Sequence, residues 1–308
     1  MRKITFLILL VSISLSTLNA QKLTVASYNI RNANEGDSIK GNGWHQRCPV
    51  ISQLVSFYDF DVWGSQEVKH SQLNDMLSNM PQYGYIGVGR DDGKTKGEYS
   101  PIFYKKDKFT VLKSGDFWLS EDTTKPNKGW DAALPRICSW GHFKDKKSGL
   151  KFWFFNLHMD HVGVIARKES AKLVLKKIQE MCGKEPVILT GDFNFDQTSE
   201  GYTTITSSNI LTDSYERAEI CYALNGTFNS FNPNLMTTSR IDHIFVSPIF
   251  SVKKYGVLTD TYRGEVENSE TIQGDDAPKE ISFHKYIARM PSDHFPIMAE
   301  LEYNKKGK

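Results

Sequence analysis

Apolar, β-branched and aromatic runs in this sequence repeatedly meet a carboxylate, an amide or an imidazole at one end. Leu23 to Ile30 carries Asn29, Phe60 to Gly64 runs into Gln66-Glu67, and Leu150 to Leu157 carries Asn156 and meets His158. Val187 to Thr190 leads into Gly191-Asp192-Phe193-Asn194, Ile241 to Ser247 is entered through Arg240-Ile241-Asp242, and Phe295 to Glu302 follows Ser292-Asp293-His294. One polar residue at a strand end is ordinarily a turn or a cap. An ordered series constrains far more, because strand ends in a layered sheet can converge on one cleft.

Those runs read as buried or half-buried strands, as does Pro101 to Tyr104. Helical patterns alternate with them at Cys48 to Tyr58, Gln72 to Met80 and Val164 to Met181. In the last, Ile165, Ala171, Val174, Leu175 and Ile178 mark an apolar face between lysines and glutamates. The expectation is a layered α/β fold with sheets packed together and helices outside. No linker divides the chain, so residues 21–308 are expected to form one domain. The polar segment Tyr262 to Lys285 reads as a surface excursion before the last strand, over the site or beside it.

Arg2 and Lys3 precede an apolar run from Ile4 to Leu18, with small Ala20 placed for cleavage. That layout is expected to be a secretory signal peptide over residues 1–20, and the mature protein to be secreted or periplasmic. No cysteine stands at the cleavage position, so a bacterial lipoprotein anchor is not indicated. Without Arg2 and Lys3 the 38 basic residues fall level with the 36 acidic ones. A balanced charge gives no reason to expect tight non-specific polyanion binding. Cys48, Cys138, Cys182 and Cys221 are widely spaced without a C-x-x-C, so zinc is not expected; disulfides and buried free thiols both stay open.

Glu67, Asp192, Asp293 and the amide oxygens of Asn29 and Asn194 are hard oxygen donors, suited to Mg²⁺, Mn²⁺ or Ca²⁺. His158 and His294 supply imidazoles that donate to a phosphoryl oxygen or move a proton near neutral pH. Phosphate-ester hydrolysis needs that mixture of cation, polarised water and donors.

In their order and spelling, Asn29, Gln66-Glu67, Asn156-Leu157-His158, Gly191-Asp192-Phe193-Asn194, Arg240-Ile241-Asp242 and Ser292-Asp293-His294 resemble the motifs of the endonuclease/exonuclease/phosphatase superfamily. The resemblance runs from about Leu23 to Glu302. It implies a four-layer sandwich: two packed mixed β-sheets flanked by α-helices. It also implies that Glu67, with Asn29 and Asp293, holds a divalent cation. His294 pairs with Asp242, Asp192 and Asn194 position the water and a phosphate oxygen, and His158 donates to the phosphate. Arg136, after Gly129 to Pro135, is expected on the phosphate. Where the abasic-site endonucleases of the family carry an acidic residue and a Tyr, this chain has Arg31 and His158, which points away from that branch.

Less is readable elsewhere. The glycine-rich loop Gly89 to Tyr99 is either a rim of the cleft or a plain turn. Asp160 is a candidate support for His158 or another ligand, while His161 and His45 carry little signal. The leading reading is an exported, metal-dependent phosphoesterase acting on a phosphodiester or phosphomonoester, either a small molecule or lipid-linked, with no protein partner implied. An exported nuclease of DNA or RNA is the alternative, and a non-catalytic binding module on the same fold is the reading from another class.

Overall fold

A computed structural model describes residues 21–266, 270–274 and 276–303. The signal segment expected over residues 1–20 lies outside the described residues. The first third of the chain forms β1 (Gln21–Asn29), α1 (Glu35–Ile39), α2 (Trp44–Phe57), β2 (Val62–Gln66), α3 (His70–Asn79), β3 (Tyr83–Ile86) and β4 (Ile102–Lys105). Next come β5 (Phe109–Trp118), β6 (Ile137–Asp145), β7 (Lys151–His158), α4 (Val164–Cys182), β8 (Val187–Asp192), α5 (Glu200–Thr206) and β9 (Thr212–Asp213). The remainder is α6 (Ser214–Arg217), β10 (Ile220–Tyr222), β11 (Asp242–Val246), β12 (Phe250–Val257), the short strands β13 (Tyr262–Glu265), β14 (Ile272–Gln273), β15 (Ser282–Phe283) and β16 (Tyr286–Arg289), and β17 (Ile297–Tyr303).

Two mixed sheets result: seven strands in the order β10-β12-β17-β1-β2-β4-β3, and six in the order β5-β6-β7-β8-β11-β9. Apolar residues of both meet in one core, including Leu23, Val25 and Val62 from the first and Phe152, Phe154 and Ile188 from the second. α2 and α3 cover the outer face of the first sheet through Ile51, Val55, Leu73 and Met76. α4 and α5 cover the second through Ala171, Val174, Ile178 and Ile205. This is the expected four-layer sandwich. The apolar face of α4 starts later than its sequence pattern predicts: Ile165 is exposed, and the buried stripe runs from Ala166.

Period-two alternation makes the inter-sheet face change character along each strand. On β1 it reads Leu23, Val25, Ser27, Asn29; on β7, Phe152, Phe154, Asn156, His158; on β8, Ile188, Thr190, Asp192. One end of the sandwich is therefore an apolar core and the other a polar floor. Between them Asn156 bolts the sheets together, donating to Ser65 O at 2.7 Å and Pro101 O at 3.0 Å. Its Oδ1 accepts from Gln66 Nε2 at 2.7 Å and Thr190 Oγ1 at 3.0 Å. Only glycine fits at position 64 opposite, since a Cβ there would lie 2.1 Å from Asn156 Oδ1.

The expected strands and helices all form; among the further elements are the long strands β5, β6 and β12, beside the shorter β3, β9, β10, α1, α5 and α6. β5 is an edge strand whose middle is exposed, β6 buries Ser139 and His142 among its apolar residues, and β12 is broken by a bulge between Val252 and Lys254. Each blurs the alternation that marks a strand. The segment Tyr262 to Lys285 lies within two exposed hairpin ribbons, β13–β16 and β14–β15, and none of its described residues lines the cleft below. All four cysteines are free, with Cys48, Cys138 and Cys182 buried.

Candidate active site

Strand register assembles the first part of the site. Antiparallel pairing sets Asp242 of β11 opposite Asp192 of β8, and parallel pairing sets His158 of β7 beside Asp192. Paired residues point to the same face, so three side chains meet on the polar floor. The segment leading into β17 brings His294, whose Nδ1 lies 2.9 Å from Asp242 Oδ2 and whose Nε2 lies 3.7 Å from Asp192 Oδ2. Phe228 packs edge-on against the His294 ring. Arg240 turns away to Asp213 at 2.8 Å, which leaves the Asp242 carboxylate to the histidine.

Electrostatics divides the two histidines. Burial alone would lower His294, but the Asp242 and Asp192 carboxylates prevail and raise it to about 10. His158 has no hydrogen-bonded carboxylate like Asp242: burial first, then the charges of Arg136 and Arg90, hold it well below the ordinary histidine range. Its Nε2 sits 3.5 Å from Asp192 Oδ2, and its buried Nδ1 has no hydrogen-bond partner among the described residues. Burial and the neighbouring Asp242 charge push Asp192 up to about 7. Asp192 Oδ1 accepts from Asn194 N at 3.0 Å, and Asn194 Nδ2 donates to Met159 O at 3.0 Å.

The second part lies just past the ends of β1 and β2. Arg31, Glu67 and Asn194 all take positive φ, of 56°, 61° and 51°. Non-glycine residues adopt that region rarely and cluster at functional sites. Burial favours the neutral acid of Glu67, yet the Asn32 backbone amide, His294, Asn29 and Arg31 outweigh it and lower its pKa. Glu67 Oε2 accepts from Asn32 Nδ2 at 2.8 Å, and Arg31 Nη1 reaches Asp293 Oδ2 at 3.4 Å and Glu67 Oε2 at 4.0 Å. Asn29 presents its amide nitrogen here, donating to Asp192 Oδ2 at 3.0 Å and Glu67 Oε1 at 3.1 Å. Its oxygen accepts from Arg31 N at 3.0 Å, so in this arrangement Asn29 holds the carboxylates in place rather than offering the expected oxygen ligand.

Two groupings suit a divalent cation chemically. Ligand atoms of Asp192, Asp242 and His294 come within 4.8 Å of one another, but the His294–Asp242 hydrogen bond already engages two of the three. Glu67 and Asp293 line the cleft as carboxylates drawn to one positive charge, the Arg31 guanidinium, and are all-oxygen donors of the kind hard cations take.

The cleft has a volume of about 350 Å³, and Arg136 forms its third wall. Asp160 anchors Arg136 through Nε at 3.1 Å while accepting amides from Ala133, Val162 and Gly163. Asp160 thus supports Arg136, not His158. His161 Nδ1 meets Arg136 Nη2 at 2.8 Å, and Nη1 stays buried without a partner among the described residues. The cleft also takes in Arg90 and Glu98, from the loop Gly89 to Tyr99 that the sequence left as rim or turn, together with Asn32 and Phe228. Arg90 and Glu98 had a weak signal as charged residues in the glycine-rich loop from Gly89; Asn32 and Phe228 had none.

A model of the Endonuclease/Exonuclease/phosphatase family matches residues 26–294. A solved endonuclease/exonuclease/phosphatase family protein from Bacteroides thetaiotaomicron is 58% identical, with TM-score 0.85 over 92% of this chain and 98% of that one. A mannosyl-6-phosphatase of Bacteroides thetaiotaomicron is likewise 58% identical, with TM-score 0.84 over 91% of this chain and 99% of that one. A family protein from Bacteroides vulgatus is 38% identical, with TM-score 0.78 over 92% and 99%. By the matched span, the shared fold and the phosphatase among these neighbours, the chain belongs to the endonuclease/exonuclease/phosphatase family of phosphoric ester hydrolases.

Proposed function

We propose that the chain is an exported, metal-dependent phosphomonoesterase that removes phosphate from a sugar. The observation that carries the phosphate side is Arg136, a buried guanidinium on the cleft wall with a free Nη1 donor. A planar guanidinium held by Asp160 is built to fork onto phosphoryl oxygens. The sugar reading rests on the likeness to the mannosyl-6-phosphatase. A nuclease reading is less well supported, because the cleft's guanidiniums at Arg31, Arg90 and Arg136 are each ion-paired to a carboxylate and form no cationic track.

In this reading Glu67 and Asp293 hold Mg²⁺ or Mn²⁺, which offsets phosphoryl charge when bound. Arg136 and His158 orient the phosphate, with Asn194 against one of its oxygens. Asp192, with a pKa of about 7, takes a proton from the attacking water as its oxygen bonds phosphorus and the ester P–O bond breaks, the departing sugar oxygen taking a proton from solvent water. His294, charged and oriented by Asp242, stabilises the charge that gathers on the phosphoryl oxygens.

Phosphate release from mannose 6-phosphate, glucose 6-phosphate and p-nitrophenyl phosphate, set against bis-p-nitrophenyl phosphate and plasmid DNA, tests the reading. Sugar monoesters turn over fastest, and EDTA stops the reaction. Faster turnover of the diester or of DNA refutes it. Amino-terminal sequencing of protein from the cell envelope or medium tests export; a mature chain starting at Gln21 is the expected result.

A further inference from the structure

The Arg90–Glu98 pair has no part in the mechanism above, yet it stands on the wall of the cleft. Both residues also line a neighbouring open pocket of about 420 Å³, together with Lys69, His70, Ser71 and Gly97. A carboxylate beside a phosphate site opposes the substrate's charge, so the placement of Glu98 needs another explanation. Its Oε2 takes Arg90 Nη1 at 2.5 Å and its Oε1 takes Asn32 Nδ2 at 3.2 Å, which offsets the charge and leaves further lone pairs. Arg90 is 8% exposed, and its Nε is buried without a hydrogen-bond partner among the described residues. A fixed acceptor next to a fixed donor matches the vicinal hydroxyls of a sugar.

The loop that carries the pair is braced. Arg90 N donates to Glu98 O at 3.0 Å, and Asp92 Oδ1 accepts from Lys94 N at 2.8 Å and Lys96 N at 2.9 Å. Gly97 turns at φ +81°, where a Cβ would lie 2.5 Å from the Asp91 carboxyl carbon. Such rigidity holds recognition groups in register.

We propose that Arg90 and Glu98 read the hydroxyls of the alcohol part of the ester, and that the pocket beyond them takes a second sugar ring joined to the first. This rests on the sugar-phosphomonoesterase reading.

The test compares kcat/KM on mannose 6-phosphate and on p-nitrophenyl phosphate, whose leaving group offers no vicinal hydroxyls. In Glu98→Gln the preference for the sugar ester falls by about tenfold, through KM, as expected for losing a hydrogen bond to a charged group. An equal loss on both substrates overturns the role of Glu98. For the pocket, Ser71→Trp weakens inhibition by mannobiose at least about fivefold more than inhibition by mannose. Equal weakening, or none, overturns the second-ring subsite, and this arm stands even if Glu98→Gln does not fold. A parent enzyme with no preference for the sugar ester fails the sugar reading itself; a parent that prefers it while Glu98→Gln keeps that preference fails only this inference.

Discussion

His294 Nδ1 and Asp242 Oδ2 are 2.9 Å apart at the buried end of β11, and that contact is the main reason the imidazole holds its proton to about 10. The folded value lies above the unfolded one of about 6.5. Stability from the pair is therefore complete below about pH 6.5 and is lost as pH rises through about 10. Asp242→Asn removes it, so the Tm deficit of the variant is large near neutrality and closes toward pH 10. The variant's kcat/KM falls by about 10²–10⁴, with the alkaline limb of the pH profile moving to lower pH. An unmoved limb shows that another group sets it.

Asp192 carries the opposite liability. Its pKa is raised to about 7 by burial and by Asp242, so ionising it costs the folded state stability. That cost is absent below about pH 4, grows as pH rises and is complete above about 7. Asp192→Asn keeps the shape without the charge. Calorimetry should find a Tm about 2–4 °C higher than the parent at alkaline pH, with the gain gone in acid, and turnover should be lost. A variant less stable than the parent at about pH 8 would show that the carboxylate stabilises the fold.

Much of this was legible in the sequence because the same residues set both fold and site. Val25 and Asn29 share a face of β1, so the alternation that identified the strand also pointed to the polar end of its inner face. What sequence could not give is which polar end faces the cleft and which ties the sheets. Asn156 and Asp192 look alike as polar residues near strand ends, yet a parallel register puts Asn156 one layer deeper, beside Thr190. For Asn29, residue type does not say which end of the amide faces the site. For Arg90 and Glu98 the sequence leaves rim and plain turn open, because a loop has no periodicity to mark its inward side chains.

Arg136 and Asp160 form a buried pair at 3.1 Å with the guanidinium's Nη1 left over for substrate. Arg136→Ala should raise KM for a phosphomonoester by about 10- to 100-fold, the worth of a charge-assisted contact. Asp160→Asn leaves the guanidinium present but less firmly held, and its KM should rise less. Steady-state kinetics on both variants decides; an unchanged KM in Arg136→Ala removes Arg136 from the phosphate.

The Asn156 tie can be separated from catalysis. Asn156→Leu has a similar volume but strips partners from the Ser65 and Pro101 carbonyls, Gln66 and Thr190. Pro101 O keeps Ser65 N, Thr190 Oγ1 keeps Phe155 O and Gln66 Nε2 keeps Ser27 Oγ, so Ser65 O is the group left wanting and urea unfolding should show a loss of about 1–3 kcal/mol. The folded fraction should keep its KM, because Asn156 lies below the cleft and does not line it.

Thermal shift with added cation distinguishes the two groupings that suit a metal. A ligand that binds only the folded state raises Tm by mass action, whether or not the enzyme turns over. If Glu67 and Asp293 hold the cation, Mg²⁺ or Mn²⁺ raises the Tm of the parent, and Glu67→Gln abolishes the rise. Asp242→Asn keeps it, since Asp242 is committed to His294. If the Asp192, Asp242 and His294 group holds the cation, the pattern inverts: Asp242→Asn loses the rise and Glu67→Gln keeps it. The first pattern is expected, because a cation on the second group must displace His294 from a 2.9 Å hydrogen bond and share the site with an imidazole that stays protonated to about 10. Arg31 sharpens the experiment further. Its guanidinium lies 3.4 Å from Asp293 and repels an incoming cation, so Arg31→Gln should enlarge the rise if that carboxylate is a ligand.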